Sequence, residues 1–258
     1  MSKLTHLLLF ASVSAVSSIQ ASSLYVQNFD AFEDGDTVLN DGSTLEGTRL
    51  GFALQVEENN SGNNQETALQ LTSDLDVTGG RAKYILPELD PGQAITEFDL
   101  TFNSLMKSNP GNGPADGFSF NFGDLDLNDS GVFIEDGWAS NGGDVLSVSW
   151  DTFDSGSGDI FGRVAVFLNG SEVAGKDNTV NNVVESTLDA SFQEVAISWS
   201  EIDGLSVDYA GTSVYTNAAV ALTTEPGYRF AFGARTGGET QTTQMEDISL
   251  IVAEPASF

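Results

Sequence analysis

The sequence predicts an all-β protein, and three observations support this prediction. Short runs of alternating apolar residues recur along the chain, and Gly, Asn, Asp or Ser bounds each run. No segment keeps a convincing helical period beyond two turns. The chain also contains 27 glycines, which suit a structure with many tight turns. Together these features predict one sandwich or jelly roll of antiparallel sheets, built from about a dozen strands.

The first 21 residues have the pattern of a secretory signal. Lys3 provides a short basic start, Leu7 opens an apolar stretch that reaches about Ile19, and Ala21 suits the last position before cleavage. Serines interrupt this stretch, which is shorter than the roughly 20 apolar residues of a membrane anchor. We therefore expect residues 1–21 to be removed on export. The mature chain is expected to be secreted or held at the cell surface, without insertion into the membrane.

Residues 22–258 are predicted to form one domain, because the sequence shows neither a linker nor an internal repeat. Strand patterns closely flank the polar segment Asn59–Asn64, which is expected to be a surface loop. The pair Asp203-Gly204 predicts a hairpin turn, and Val180–Ala190 is the segment nearest to a helical pattern. The predicted strands, in order, are Ile95–Phe102, Phe118–Phe122, Val145–Phe153, Phe161–Leu168, Val195–Trp199, Leu205–Tyr209, Tyr228–Ala234 and Glu246–Val252.

Charge and composition exclude several classes of function. The chain has 9 Lys and Arg against 38 Asp and Glu, a formal charge of −29, which repels nucleic acids and anionic membranes. There is no cysteine, and the single histidine, His6, lies in the predicted signal. The mature chain therefore has no Ser-His-Asp triad, no Cys-His pair and no histidine ligand for a metal. The remaining carboxylate, hydroxyl, amide and aromatic groups suit calcium and sugars.

The segment Pro114–Phe120 places an acid at the start of a predicted strand. Asp116 is followed by Gly117 and then by alternating aromatic residues. This order lets the carboxylate face a ligand while the strand stays packed in the core. Taken alone, an Asp-Gly pair before a strand is also an ordinary turn.

A second acidic segment follows the predicted strand that ends near Phe153. Asp151, Asp154 and Asp159 occur within a stretch rich in Gly and Ser. Calcium takes six to eight oxygen ligands at about 2.3–2.6 Å, and a loop of this composition supplies carboxylate and carbonyl oxygens. A solvated acidic loop is the alternative.

The order of these motifs resembles that of the legume-type (L-type) lectins, and most closely that of their secreted bacterial members. The motifs are Ala115-Asp116-Gly117-Phe118, then Asp151-Thr152-Phe153, then Phe230–Gly238 near the end of the chain. The resemblance covers most of residues 22–252. It implies a concanavalin A-like jelly roll and a lectin-like domain over residues 22–258.

The resemblance also implies a binding site. It implies a cis Ala115–Asp116 bond, with Asp116 as the main acceptor for sugar hydroxyls and Gly117 and Ser155 beside it. It assigns calcium to Asp151, the main-chain carbonyl of Phe153 and Asp159.

Two departures from the family pattern bear on this site. Ser155 stands where the family has an asparagine that binds both calcium and sugar, and the neighbouring Asp154 is then a further candidate calcium ligand. Ser149 stands where the family has an acidic transition-metal ligand, so no transition metal is expected.

Three further features have alternative interpretations. Asp124–Glu135 follows the spacing of a calcium loop, but Asp129 stands where such a loop needs glycine, so an acidic connection between strands is favoured. Trp138 and Phe153 are candidate platforms for a sugar face, although most aromatic residues here are expected in the core. Glu201-Ile202-Asp203 lacks the third acid of laminarinase-type glycosidases and is expected to be a turn.

We therefore expect a secreted protein that binds a glycan or polysaccharide without catalysis, in a calcium-dependent manner. The net charge favours a neutral sugar. One alternative is a structural or adhesive surface protein with a degenerate sugar site, which Ser155 favours. Another is a polysaccharide hydrolase or lyase, which needs an acid such as Glu97, Asp99 or Glu194 paired with Tyr209. The sugar and the oligomeric state are left open.

Overall fold

The computed structural model describes residues 22–32, 39–48, 55–59, 66–73, 80–108, 113–128, 135, 137–154, 162–173, 183–188 and 191–253. The predicted signal segment lies outside this described part, and so do Ser155, Asp159 and residues 60–65.

Strands form nearly all of the regular structure in the described residues. A single turn of 3-10 helix at Glu185–Thr187 lies within the segment whose pattern came nearest to a helix. The strands are β1 Ser22–Gln27, β2 Thr44–Thr48, β3 Gln55–Asn59, β4 Glu66–Thr72, β5 Arg81–Ile85, β6 Glu97–Ser108, β7 Gly117–Leu125, β8 Ser140–Asp151, β9 Val164–Leu168, β10 Ser171–Glu172, β11 Gln193–Ser200, β12 Gly204–Tyr209, β13 Thr212–Ala218, β14 Arg229–Arg235 and β15 Gln241–Ala253.

The strands form two antiparallel sheets. The eight-stranded sheet has the order β13-β12-β11-β6-β15-β4-β3, and β1 also pairs with β15. The seven-stranded sheet has the order β10-β9-β8-β7-β14-β5-β2. The prediction of an antiparallel jelly-roll sandwich is therefore confirmed. Within the described residues, no helix has the length and apolar character needed to cross a membrane.

Aromatic side chains fill the space between the two sheets. Phe118 and Trp150, on neighbouring strands of the seven-stranded sheet, stack with their ring centroids 4.5 Å apart. Phe98 of the opposite sheet packs edge-on against Phe122 and Phe230, at 5.2 Å and 5.4 Å. This packing uses the inward positions of the alternating runs, as the period of two along a strand requires.

A buried polar network joins β1 to the opposite sheet. The hydroxyl of Tyr25 donates a hydrogen bond of 2.6 Å to Oδ2 of Asp41 and also contacts the hydroxyl of Tyr84 on β5. Gln27 Nε2 donates to the same carboxylate oxygen at 2.8 Å, and the main-chain N–H of Ser43 donates to Oδ1 at 2.9 Å. Asp41 therefore accepts hydrogen bonds at both carboxylate oxygens.

Candidate functional site

The two acidic segments lie side by side at one end of the seven-stranded sheet. β7 begins at Gly117 and β8 ends at Asp151, and these two residues are register partners. The main-chain N–H of Thr152 donates a hydrogen bond of 3.0 Å to the carbonyl of Asp116. Antiparallel pairing therefore brings together two segments that are distant in sequence, as expected.

Asp116 is held by main-chain and side-chain bonds. The Ala115–Asp116 peptide bond is cis, as the resemblance implied. The N–H of Asp116 donates to the carbonyl of Arg235 at 2.9 Å, and Nη2 of Arg235 lies 2.5 Å from Oδ2 of Asp116. Only 4% of Asp116 is exposed. Burial raises the pKa of Asp116 above its ordinary value of 3.8, while the charge of Arg235 and its hydrogen bond oppose this rise.

Gly117 has a structural reason to be glycine. Its φ is +134°, and a Cβ at this position would lie 2.2 Å from the main-chain carbonyl oxygen of Trp150. Any side chain would therefore push β7 and β8 apart where Asp116 and Asp151 meet. Gly117 therefore allows β7 and β8 to pack closely at this end of the sheet.

A second buried acid shares Arg235 with Asp116. Oε1 of Glu135 lies 2.7 Å from Nη2 of Arg235, and only 2% of Glu135 is exposed. The hydroxyl of Ser149 donates to the main-chain carbonyl of Glu135 at 2.8 Å. Ser149, the predicted replacement for an acidic metal ligand, therefore anchors Glu135 to the sheet. The sequence analysis included Glu135 in a candidate calcium loop and Arg235 in a family motif, but it did not predict that the two pair beside Asp116.

Gly237 brings a third segment against Asp116. A Cβ on Gly237 would lie 2.7 Å from Oδ1 and 2.8 Å from Oδ2 of Asp116, so only glycine allows this approach. The next residue, Gly238, has nothing within 4 Å of the equivalent position. The Thr236-Gly237-Gly238 signal was part of the resemblance, but these glycines were not predicted as site residues.

The predicted calcium segment begins with a turn at Asp151. Oδ1 of Asp151 accepts a 2.9 Å hydrogen bond from the N–H of Phe153. The carbonyl of Asp151 accepts another, of 3.1 Å, from the N–H of Gly162. Asp151 is buried, Phe153 is partly buried and Asp154 is exposed.

The described part of this segment supplies oxygen donors of the kind that calcium prefers. They are the carboxylates of Asp151 and Asp154 and the main-chain carbonyl of Phe153. Among the residues that the structure describes, no group of three or more His, Cys, Asp and Glu side chains is placed to hold a metal. A complete coordination shell would need oxygens from the part of the loop that contains Ser155 and Asp159, which lies outside the described residues.

The chain itself covers part of the outer face of the seven-stranded sheet. The N–H of Trp138 donates to Oδ1 of Asn121 on β7 at 3.0 Å, and its indole N–H donates to the carbonyl of Asp126 at 2.8 Å. Lys83 lies over the Trp138 ring, 5.0 Å from its centroid. Because only 5% of Trp138 is exposed, it packs on the sheet and is unsuited as a platform for a sugar.

Asp124 and Glu135, the first and last acids of the calcium-loop spacing, make separate contacts in the described part of the chain. Oδ2 of Asp124 accepts a 2.8 Å hydrogen bond from the N–H of Gly143, whereas the carboxylate of Glu135 pairs with Arg235. Asp124 lies near the end of β7, and Arg235 is the register partner of Gly117 at its start. These contacts favour the interpretation of an acidic connection between strands.

The acids considered for hydrolysis do not converge with Tyr209. Glu97, Asp99 and Glu194 are exposed, whereas Tyr209 is buried and bonds to Thr187 at 2.8 Å. Along β11, Glu194 therefore faces away from the core, and its neighbour Val195, the register partner of Tyr209, faces into it. The hypothesis of a catalytic pair there is wrong. The segment 201–203 is a turn between β11 and β12, as predicted.

No protein-family model matches the sequence, and no curated protein is similar to it in sequence. Solved structures are similar in fold. The basic winged bean lectin, solved with Tn-antigen, has a TM-score of 0.60 at 16% identity, over 91% of this chain and 100% of that chain. The exoplasmic/lumenal domain of VIP36, in a form bound to Ca²⁺ and Man3GlcNAc, has a TM-score of 0.55 at 14% identity, over 86% of both chains.

Arcelin-5, a lectin-like defense protein from Phaseolus vulgaris, has a TM-score of 0.57 at 14% identity, over 90% of this chain and 99% of that chain. These similarities extend over nearly the whole sandwich and agree with the order of the sequence motifs. The chain therefore has the L-type lectin fold.

Proposed function

We propose that this protein binds neutral glycans at the end of the seven-stranded sheet where Asp116, Asp151 and Gly237 lie, and that binding depends on calcium. The observation that carries this proposal is the convergence of three segments at the buried residue Asp116. Asp116 lies just before β7, Thr152 just after β8 donates to its main-chain carbonyl, and the loop after β14 brings Gly237 against its carboxylate. One solved structure of the same fold is a lectin with Tn-antigen, and another is the VIP36 domain bound to Ca²⁺ and Man3GlcNAc.

The residues have distinct parts in binding. Arg235 engages Oδ2 of Asp116 and fixes the plane of the carboxylate, which then accepts hydrogen bonds from sugar hydroxyls. About a fifth of the Arg235 side chain is exposed, and in this proposal its guanidinium donates to a hydroxyl oxygen. A charged acceptor beside a charged donor suits the vicinal hydroxyls of a neutral sugar. An anionic sugar would be repelled by the excess of carboxylates in this chain.

Calcium would be held by Asp151, the carbonyl of Phe153, Asp154 and Asp159. When bound, it supplies positive charge that offsets the repulsion between carboxylates in an already acidic chain. The chain's own contribution is to hold Asp151 and Thr152 against the Asp116 bend through the β7–β8 pairing. Binding of a glycan involves no bond breaking, and the proposal assigns no catalytic residue.

Export is part of the proposal and is supported by the signal pattern of residues 1–21. Expression of the full chain in a secreting host, followed by mass spectrometry, tests it. The expected product appears outside the cells and begins at Ser22. Retention of residues 1–21 in a cell-associated product would contradict export.

A glycan array tests the binding proposal. The wild-type protein is applied in millimolar calcium and, separately, with a chelator, and Asp151→Asn is applied in calcium as a second loss of the calcium site. We expect neutral glycans to be bound in calcium, with the signal lost in the chelator and strongly reduced in Asp151→Asn. Glycan binding that is equally strong with and without the chelator would refute the calcium dependence.

A structural or adhesive protein with a degenerate sugar site is the second candidate. It is favoured by Ser155, which replaces a ligand of the family pattern, and by the engagement of the Asp116 carboxylate with Arg235. Absence of binding to every glycan on the array, in a folded protein with calcium present, would support this candidate and refute the first. An assay for new reducing ends on β-glucans, alginate and agarose is expected to stay at background.

A further inference from the structure

Thr152 joins the calcium segment to two other parts of the chain. Its N–H donates to the carbonyl of Asp116 at 3.0 Å, which ties the calcium segment to the candidate sugar acceptor. Its hydroxyl donates to Oε1 of Gln241 at 2.6 Å. Thr152 is 1% exposed and lies between Asp151 and Phe153 in sequence. One residue therefore links the candidate binding segment to the core behind it.

Gln241 extends this link into the opposite sheet. It is the first residue of β15 and is fully buried. Its Nε2 donates to the hydroxyl of Thr243 on the same strand at 3.1 Å. The chain of hydrogen bonds from Thr152 through Gln241 to Thr243 therefore crosses between the two sheets. Because a buried polar group without a partner is costly, this chain strongly favours one orientation of each side chain.

We propose that Thr152 and Gln241 are a positioning pair, which anchors the calcium segment to the eight-stranded sheet and thereby sets its affinity for calcium. This inference rests on the proposed function for its ligand, but the anchoring itself is a property of the ligand-free chain. Second-layer contacts of this kind orient metal-ligating residues, and their removal typically weakens metal binding about 10- to 100-fold. Neither residue supplies a ligand; each acts through the position of Asp151 and Phe153.

The chain offers matched variants for a test. Thr152→Val removes the hydroxyl while keeping the shape, and Thr152→Ser keeps the hydroxyl. Gln241→Leu removes the acceptor on β15. Gln244→Leu is the control, because Gln244 is also a buried glutamine of β15 but donates to Gln70 of β4, at 3.2 Å, within its own sheet.

Hydrogen exchange of the calcium-free protein, followed by mass spectrometry, measures the anchoring directly. We expect the amides of Thr152 and Phe153 to lose protection about tenfold in Thr152→Val and in Gln241→Leu. Thr152→Ser and Gln244→Leu are expected to keep wild-type protection there. Unchanged protection in both Thr152→Val and Gln241→Leu would overturn the proposal, and so would an equal loss in Gln244→Leu.

Calorimetric titration with calcium alone measures the consequence for the ligand. We expect the calcium Kd to rise about tenfold or more in Thr152→Val and Gln241→Leu, with recovery in Thr152→Ser. A merely structural role would lower the melting temperature of Gln241→Leu and Gln244→Leu alike and would leave the calcium Kd unchanged, which overturns the proposal. If the wild type binds no calcium while the exchange results hold, the proposed function fails and the anchoring by Thr152 and Gln241 stands.

Discussion

Asp116 and Arg235 are bonded to each other twice, once through the main chain and once through their side chains. The N–H of Asp116 donates to the carbonyl of Arg235 at 2.9 Å, and Nη2 of Arg235 lies 2.5 Å from Oδ2 of Asp116. The same guanidinium nitrogen lies 2.7 Å from Oε1 of Glu135. One cation therefore serves two buried carboxylates at the end of the sheet where we place the ligand.

Replacing Arg235 is expected to destabilise the fold. Arg235→Met leaves Asp116 and Glu135 buried without their shared counterion, and removal of one partner from a buried ion pair typically costs about 3–5 kcal/mol. Because about a fifth of the Arg235 side chain is exposed, we expect the free energy of unfolding to fall by about 3 kcal/mol, the lower end of this range. Urea denaturation, monitored by tryptophan fluorescence, measures it.

Arg163→Met is the matched control for that variant. Arg163 pairs with Glu172 at 2.6 Å and is about as exposed as Arg235, but Glu172 is 34% exposed, so the pair is worth about 1 kcal/mol or less. Equal destabilisation by the two substitutions would show that the Glu135–Arg235–Asp116 cluster is not a buried ion cluster in solution.

Glycan binding is expected to weaken in acid at a pH above that of an ordinary aspartate. Burial raises the pKa of Asp116 above 3.8, with Arg235 opposing the rise, and a protonated carboxyl is a poorer acceptor. Affinity should therefore fall as the pH falls through this raised pKa. Calorimetry at several pH values, with calcium saturating at each, measures the glycan Kd. An affinity that is constant down to about pH 3.8 would contradict the role of Asp116.

Asp116 affects folding stability in the opposite sense. Since its pKa is higher in the folded state than in the unfolded state, the folded chain holds more protons between the two values. Its contribution to the free energy of unfolding therefore decreases as the pH rises through that window. Loss of binding in mild acid thus cannot be attributed to unfolding caused by Asp116.

Asp41 is expected to make the fold sensitive to acid. Burial alone would raise its pKa, but hydrogen bonds from Ser43, Tyr25 and Gln27 together lower it below 3.8. Its stabilising contribution is therefore fully present above the unfolded value and is lost as the pH falls through the lower folded value. Thermal melts from about pH 6 to about pH 3 should show a steeper loss of stability for wild type than for Asp41→Asn. Parallel curves would contradict this role.

Gly237→Ala is expected to reduce glycan binding at least about tenfold with a smaller effect on folding. Its Cβ would lie 2.7 Å from Oδ1 of Asp116, so the loop or the carboxylate must move. Gly113→Ala is the control, since its Cβ would make only an ordinary contact of 3.9 Å with Glu239. Calorimetric Kd values and melting temperatures of both variants test this. If Gly237→Ala binds the glycan with wild-type affinity, Gly237 is not part of the binding site.

The alternating segments of the sequence predicted the central strands of both sheets. β6, β7, β11, β12 and β14 occur where alternation is clear, because each buries one side chain in two against the opposite sheet. β5 was not predicted; in the structure Tyr84 enters the core and Lys83 lies over Trp138. β13 was missed because bulges shift its register against β12 and blur its alternation.

The candidate site was predictable where the residues themselves carry the signal. Asp116, Gly117 and Asp151 were identified from motif order, and the structure brings their segments together. Glu135 was not singled out as a partner of Arg235, because 100 positions separate the two in sequence and only the sheet order brings them together. Gln241 was missed for the same reason: a buried hydrogen bond between the sheets leaves no pattern along either strand.

The most direct test of the account is the glycan affinity of Asp116→Asn, measured by calorimetry in saturating calcium with the best ligand from the array. The substitution keeps the shape of the side chain and removes its charge, and the melting temperature reports whether the variant folds. We expect the Kd to rise about 100-fold or more, as for loss of a charged hydrogen-bond acceptor, with the variant still folded. An unchanged Kd in the folded variant would show that the glycan is bound elsewhere and would contradict the account.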